Sequence, residues 1–343
     1  MKNIVRRTLV AGAFFAALSV PGISAAQTRI KLGTLLPKDT SQYQSLERMS
    51  QEWRAKTSGA VTLTIYPGGV MGTEEESIQK MRIGQLQAVT LSASGLADID
   101  PYIGAVEKVP MLFRSMEEAE YIRGKIAPQL ESRLEQKGYV VLFWADAGWI
   151  QVFSRRPVVH PSDLKGMRLL TTPGDPNEAE LIRSLGIVPV ERSWGDALVG
   201  LQTGAVDTIV TTPFLCLAGQ FYRSANHYLA LNYVPLAGAT IMSKKVWDSL
   251  TPEQRQAMRE AASKAGKEIQ NSSRSENETS IAAMKRLKLQ EQDMTPEMEA
   301  EWRSYFEAVY PKVRGKLVPE DILDQVQKDL AQYRSTKNSS GGR

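Results

Sequence analysis

From residue 29 to residue 92 the hydrophobic pattern switches repeatedly between two periods, which restricts this part of the chain to an α/β architecture. RIKLGTLL (29–36) alternates apolar and polar residues, the two-residue period of a strand with one covered face. SQYQSLERMSQEWRAKT (41–57) instead sets Tyr43, Leu46, Met49 and Trp53 three or four residues apart, the stripe of an amphipathic helix. Gly59 stops that helix, VTLTIY (61–66) is a second strand, and Pro67-Gly68-Gly69 turns the chain. A helix over 74–83, closed by Gly84, leads to a third strand, QAVTLS (87–92). Strands joined through helices run parallel in one sheet and carry the helices on its faces.

The middle of the chain repeats this grammar. Strands are expected at 139–144, 150–154, 167–171, 187–190 and 206–210, and helices at 177–185 and 195–204. From about Thr251 the pattern is helical. Thr251-Pro-Glu-Gln254 has capping-box spacing with proline at the first helical position, and Thr295-Pro-Glu-Met298 opens a further helix in the same way. The tail STKNSSGGR (335–343) is polar and is expected to be disordered. At the other end Lys2, Arg6 and Arg7 precede a short apolar run, Leu9–Val20, and Ser24-Ala25-Ala26 offers a cleavage site before Gln27. That run is too short for a membrane span. Residues 1–26 are therefore expected to be a signal peptide and the mature chain periplasmic. The chain from Gln27 onward exceeds one ordinary core, so two domains are expected.

Several function classes find no support. The formal net charge of +4 is small for 343 residues and forms no basic stripe, so nucleic-acid binding is not expected. A single cysteine, Cys216 in TTPFLCLAG, forms no internal disulfide and suits a small buried residue. The two histidines, His160 and His227, leave little from which to build a metal site or a triad. The sequence has no phosphate-binding glycine loop, HExxH, calcium loop, CxxC or GxSxG. No cofactor or metal is expected, and no catalytic residue is assigned.

Five segments, in order, resemble one family. PGGVMGTEEESIQKMRIGQLQAV (67–89), VPMLFRSMEEAEYI (109–122), SRRPVVHPSDLKGMRL (154–169), WGDALVGLQTGAVDT (194–208) and LAGATIMSKKVWDSLTPEQRQAM (236–258) are similar to periplasmic solute-binding proteins of tripartite ATP-independent (TRAP) transporters. The resemblance implies an α/β, two-lobed periplasmic-binding-protein fold with a hinge and long C-terminal helices. One lobe would comprise 27–147 with about 236–275, the other 148–235 with about 276–334. It further implies a monomer that closes on a small-molecule ligand and docks on the small and large membrane subunits of a permease, without catalysis.

Two positions depart from the family pattern. Counting from Lys165-Gly166, the arginine that forks onto a ligand carboxylate falls at Leu170; counting from Gly148-Trp149, a second arginine falls at Ile150. A guanidinium suits a carboxylate because it gives two parallel charged hydrogen bonds. Either the ligand lacks a carboxylate there or another cation meets it, and Arg168, two residues before Leu170 on the same strand face, is the candidate cation. Trp194, Thr211 and Thr212 are the leading contacts by family position, followed by Trp149, Gln151, Glu75, Ser94 and Asn232. Trp144, Trp149 and Trp194 are candidates for an aromatic wall that would favour a ligand with an apolar or aromatic body, although the apolar run around Trp144 suits a core strand residue better. Two other assignments suit the same residues: a binding protein that reports to a sensor, and an exported enzyme on this scaffold.

Overall fold

A computed structural model describes residues 27–104, 108–171, 173 and 175–340; the expected signal peptide (1–26) and the last residues of the tail lie outside the described residues. The strands are β1 (Thr28–Thr34), β2 (Val61–Tyr66), β3 (Ala88–Ser92), β4 (Tyr139–Ser154), β5 (Arg168–Thr171), β6 (Val188–Glu191), β7 (Thr208–Thr211), β8 (His227–Ser243) and β9 (Gln290–Gln292). Among the described residues they form one mixed sheet in the order β2-β1-β3-β8-β4-β7-β5-β6, with β9 beside β8. The expected parallel units are there: β1 lies parallel to β2 and β3, and β5 lies parallel to β6 and β7.

Two long antiparallel strands make this sheet two lobes. Residues 88–92 of β3 pair with 238–242 of β8, whereas 208–211 of β7 pair with 151–154 of β4. Strands β4 and β8 pair with each other from Tyr139 to Ser154, so both cross from one lobe into the other. The sequence pattern suggests two strands, 139–144 and 150–154; the structure makes them one. The register of β4 shifts between Asp146 and Trp149, and Gly148 absorbs the irregularity with φ of +88°.

The crossing is held from the side by the long helix Pro252–Arg286. Its Asn277 donates from Nδ2 to the carbonyl of Ala147 (2.7 Å) and accepts at Oδ1 from the Phe214 N–H (3.0 Å). One amide thus joins the bend in β4 to the helix start that follows β7. Thr251 caps the helix through the capping box expected from the sequence. The same helix enters both cores. Met258, Ala262 and Ile269 pack with Ile30, Leu46 and Trp53, while Met284 packs with Phe153, Ile209 and Tyr228.

Three features differ from the expectations of the sequence. A helix at Met116–Gln136, opened by Ser115, occupies a stretch in which the sequence pattern marks no element. The C-terminal segment does not stay with the second lobe. Trp302 and Phe306 pack there, but Val309, Val313, Ile322, Val326 and Leu330 pack with Ile122, Ile126 and Leu130 of the first-lobe helix Met116–Gln136. The stripe Ile322, Val326, Leu330 has helical spacing and matches the apolar face of that helix. The last helix, Glu320–Ser340, also runs through residues 335–340, for which disorder is expected; Ser335 and Thr336 hydroxyls bond back to the Gln332 carbonyl within it. Residues 341–343 lie outside the described residues. No helix among the described residues is long and apolar enough to cross a membrane.

Two glycines give opposite expectations. A Cβ on Gly238 would sit 2.4 Å from the Leu91 carbonyl oxygen, a backbone atom that cannot swing away. Gly238→Ala should therefore lower stability by about 1–3 kcal/mol through overpacking. Gly124 is exposed inside the helix Met116–Gln136 with open space at its Cβ position. Gly124→Ala should raise stability by about 0.5–1 kcal/mol. Urea unfolding of both variants checks the pair; equal effects would contradict the packing described at β3–β8.

Candidate functional site

In sheets built from parallel strand–helix units, ligands meet the carboxyl ends of the strands, where side chains at the ends of neighbouring strands converge. Here those ends are Ser92 of β3 in the first lobe, and Thr171 and Thr211 of β5 and β7 in the second. Between them lie the crossing segments, Asp146–Gln151 and Asn232–Pro235. The crevice expected from the sequence would open here.

On the first-lobe wall the helix Glu74–Arg82 begins with three glutamates that point to different tasks. Glu76 turns back to the Thr73 N–H and closes a capping box. Glu75 is exposed, as is Ser94. Glu74 turns inward and accepts from the Ser92 N–H (2.6 Å) and hydroxyl (2.7 Å). Gly95 is required beside it, since a Cβ there would lie 2.4 Å from Glu74 Oε2. Burial pushes the Glu74 carboxyl above its ordinary range, although the bonds from Ser92 act in the other direction. Family position favours Glu75, yet Glu74 is the inward residue. A signal for it exists in the spacing: Glu74 lies four residues before buried Ile78 and so shares its helix face.

On the second-lobe wall Thr211 and Thr171 are buried, and neither hydroxyl has a hydrogen-bond partner among the described residues. Leaving a buried hydroxyl unpaired costs about 1–3 kcal/mol, so each of these strand ends is suited to an added polar partner; the β5–β7 register sets the two threonines on opposite faces of the sheet. Thr212 is committed locally: its hydroxyl accepts from the Leu215 N–H and caps the helix Pro213–Ala218. Trp194 is 45% exposed and leans on Phe221, ring centroids 6.1 Å apart. Trp144 keeps to the core, as its apolar run suggests. Trp144 donates from Nε1 to Glu131, and both Trp144 and Trp149 pack against the first-lobe core.

At the floor Gln151 is buried and tied on both sides, donating to Asn232 Oδ1 (3.1 Å) and accepting from the Tyr228 hydroxyl (2.7 Å). Asn232 itself is exposed and Ile150 half-buried. Leu170 is buried with Phe153, Leu201 and Ile209 in the second-lobe core.

Arg168 does not join this group. It opens β5, at the end opposite Thr171, about 10 Å away at the rise of a strand. Its backbone N–H and Nε both bond Asp207, at 2.7 and 3.1 Å. Asp207 precedes β7, so the pair closes the amino ends of two parallel strands. Cations that sequence reasoning misses lie closer: Arg123 and Arg274 both bond Asp146 in the crossing segment, and Lys108 reaches the helix start that follows β5. Its ammonium meets Asp175 at 2.5 Å, the residue that caps the helix Pro176–Ser184 after β5. Burial alone would raise Asp175, but the Lys108 ammonium and the Glu178 N–H hold it below the ordinary carboxylate range. Neighbouring Glu178 and Asp98 are raised, chiefly by burial. No pattern in the sequence links Lys108 to Asp175, which is 67 residues away.

Elsewhere, Cys216 is wholly buried and burial pushes its thiol up, the opposite of an activated nucleophile. His160 lies on the surface beside Glu301.

The raised carboxyl of Glu74 gives a pH test. The folded state holds this proton more tightly than the unfolded chain does, so its contribution to stability is lost as pH rises from about 4.5 toward the folded value. Glu74→Gln removes that term. The stability difference, Glu74→Gln minus parent, should therefore grow more positive across that window in urea titrations; a difference independent of pH would contradict the burial of this carboxyl.

Residues 32–316 match bacterial extracellular solute-binding protein, family 7 (DctP). The C4-dicarboxylate-binding periplasmic protein DctP of Rhodobacter capsulatus is 25% identical over 323 residues, 94% of this chain and 96% of that protein. The 2,3-diketo-L-gulonate-binding periplasmic protein YiaO of Escherichia coli is 26% identical over 271 residues, 78% and 80% of the two chains. In three dimensions a TRAP periplasmic solute-binding protein of Chromohalobacter salexigens with bound D-glucuronate superposes with a TM-score of 0.78 at 22% identity, covering 88% of this chain and 98% of that one. One from Ochrobactrum anthropi, its C-terminus in the ligand-binding pocket, gives 0.80 at 23% identity, covering 91% and 97%. These structural likenesses show a shared fold.

Proposed function

The chain belongs to bacterial extracellular solute-binding protein family 7, the periplasmic receptors of TRAP transporters, and from that premise we propose that it captures a small organic solute between its lobes without an arginine fork. The receptor then delivers the solute, as a monomer, to the small and large membrane subunits of a permease. The reading rests on one observation: two strand-end hydroxyls of the second lobe, Thr171 on one face of the sheet and Thr211 on the other, have no partner among the described residues, and Trp194 is exposed. The hydroxyls suit a polar face of the solute and the indole an apolar one.

The solute is an organic acid or carries an aromatic or apolar body. Relatives named for C4-dicarboxylates and for 2,3-diketo-L-gulonate support the acid. With Leu170 in the core and Ile150 half-buried, a carboxylate meets the ammonium of Lys108 in exchange for Asp175. A single ammonium is a point charge rather than a fork, so it selects less strictly for planar carboxylates. Closure is a two-state equilibrium that the solute biases through contacts made only in the closed form, pivoting where β4 bends at Gly148.

A thermal-shift panel of organic acids, aromatic acids and neutral polyols should identify solutes that raise the melting temperature, because a ligand bound only to the folded state stabilises it by mass action. For a solute found this way, calorimetry should show affinity falling about tenfold or more in Trp194→Ala and in Lys108→Met, and unchanged in Arg168→Ala. Tight binding abolished by Arg168→Ala would overturn the reading, as would a solute recovered chemically altered after incubation.

A further inference from the structure

A cavity of about 360 Å³, sharing no lining residue with the crevice, lies where the segment Lys108–Arg114 meets the C-terminal helices. That segment straddles the lobes. Val109, Leu112 and Phe113 pack in the first-lobe core, while Met111 between them packs with Trp302 and Phe306 of the second. Met111 carries a left-handed backbone, φ of +51°, which a residue with a side chain adopts only when its surroundings hold it there. Its surroundings do so through three successive carbonyls. The Tyr310 hydroxyl donates to Pro110 O (2.9 Å), Arg303 Nη1 to Met111 O (2.8 Å) and Arg334 Nη2 to Leu112 O (2.9 Å).

The cavity is lined by these same cations and by Arg114. A guanidinium has five N–H donors. Arg303 spends others on Glu299, and Arg334 on Glu118. Among the described residues no hydrogen bond leaves Nη1 of Arg334, Nε of Arg303 or the guanidinium of Arg114. The electrostatics agree on convergence: Arg303 and Arg334 both act on Tyr310, and Arg334 and Arg114 both act on Glu118. Glu118, Glu299 and the lining Glu307 balance the formal charge, so the surplus is one of directed donors. Met111, Leu112, Leu330 and Ala331 supply an apolar floor. The volume falls within the range that holds a small molecule.

We infer that this cavity binds a small organic anion, a carboxylate or a phosphate ester, in a site separate from the crevice. The anion accepts from Arg303, carried by a helix packed on the second lobe, and from Arg114 and Arg334, carried by first-lobe elements. It therefore ties the lobes together and couples to the crevice. By linkage, whatever factor it imposes on crevice affinity the crevice solute imposes on it.

Calorimetry with citrate and with inorganic phosphate on the full chain tests this. Binding of either should weaken about tenfold or more in Arg114→Glu, because a directed charged donor becomes a repelling carboxylate. It should weaken similarly in Ala331→Phe, which fills the floor, and stay unchanged in Trp194→Ala. Citrate bound more tightly than phosphate marks a carboxylate site, the reverse a phosphate site. The Arg114 side chain makes no hydrogen bond among the described residues, so Arg114→Gln, which sets no like charge beside Glu118, keeps the fold and should also weaken binding even where Ala331→Phe does not fold. No binding of either anion overturns the inference. So does binding that survives Arg114→Glu but is lost in Trp194→Ala, which would assign it to the crevice.

Discussion

The amide of Asn277 holds the chain at the place where the two lobes share a strand. A continuous strand running through two bodies would be a rigid spar if its pairing were regular. Strand β4 is not regular: its register slips between Asp146 and Trp149, and Gly148 takes a backbone conformation that side chains avoid. The freed Ala147 carbonyl is satisfied by Asn277, whose other end receives the Phe214 N–H. A bend that would otherwise leave buried polar groups unpaired is thus made tolerable without being made stiff, since two side-chain hydrogen bonds are a modest restraint beside a full ladder. A Cβ at Gly148 would collide with that amide at 2.3 Å, so glycine and asparagine depend on each other.

Everything assigned to the solute depends on that bend. It lets each lobe keep its own core, with the carboxyl end of β3 in the first and those of β5 and β7 in the second. The first lobe offers a buried carboxyl held by Ser92, and the second offers unpaired threonine hydroxyls and an exposed indole. On the far side the C-terminal helices add a second connection, since the segment around Met111 is gripped from both lobes. Motion at the bend must therefore be accommodated there as well, which is why an anion in that cavity would be felt in the crevice.

Much of this frame is legible in the chain alone. The alternation over 29–92 predicts β1–β3 and their helices to within a residue or two, because half-buried strands and amphipathic helices impose different periods on the same residue types. Thr251 and Thr295 mark helix starts because a hydroxyl at that position satisfies an orphan N–H. The features that escape sequence reasoning are of another kind. Residues 145–149, with Asp146 and Gly148, look like a break, and whether a glycine ends a strand or bends it is decided by Asn277, far away in sequence. The last helix has an apolar stripe, but a stripe does not say which lobe it covers. In the crevice, Glu75 and Glu74 differ by one residue, hence by a large rotation about the helix axis. The strand alternation places Arg168 and Leu170 on one face correctly, yet Asp207, at the start of another strand, holds Arg168 at the wrong end. Lys108 and Asp175 carry no local pattern at all. Long-range pairing of charged side chains is the common blind spot.

The central claim is that the two lobes move as bodies about this bend when a solute enters. Distances between spin labels on cysteines introduced at Ile83, exposed in the first lobe, and Val199, exposed in the second, measure it directly, because Cys216 is buried out of reach of the label. With a solute that raises the melting temperature present at saturation, the distance distribution should shorten and narrow. An unchanged distribution would contradict the account.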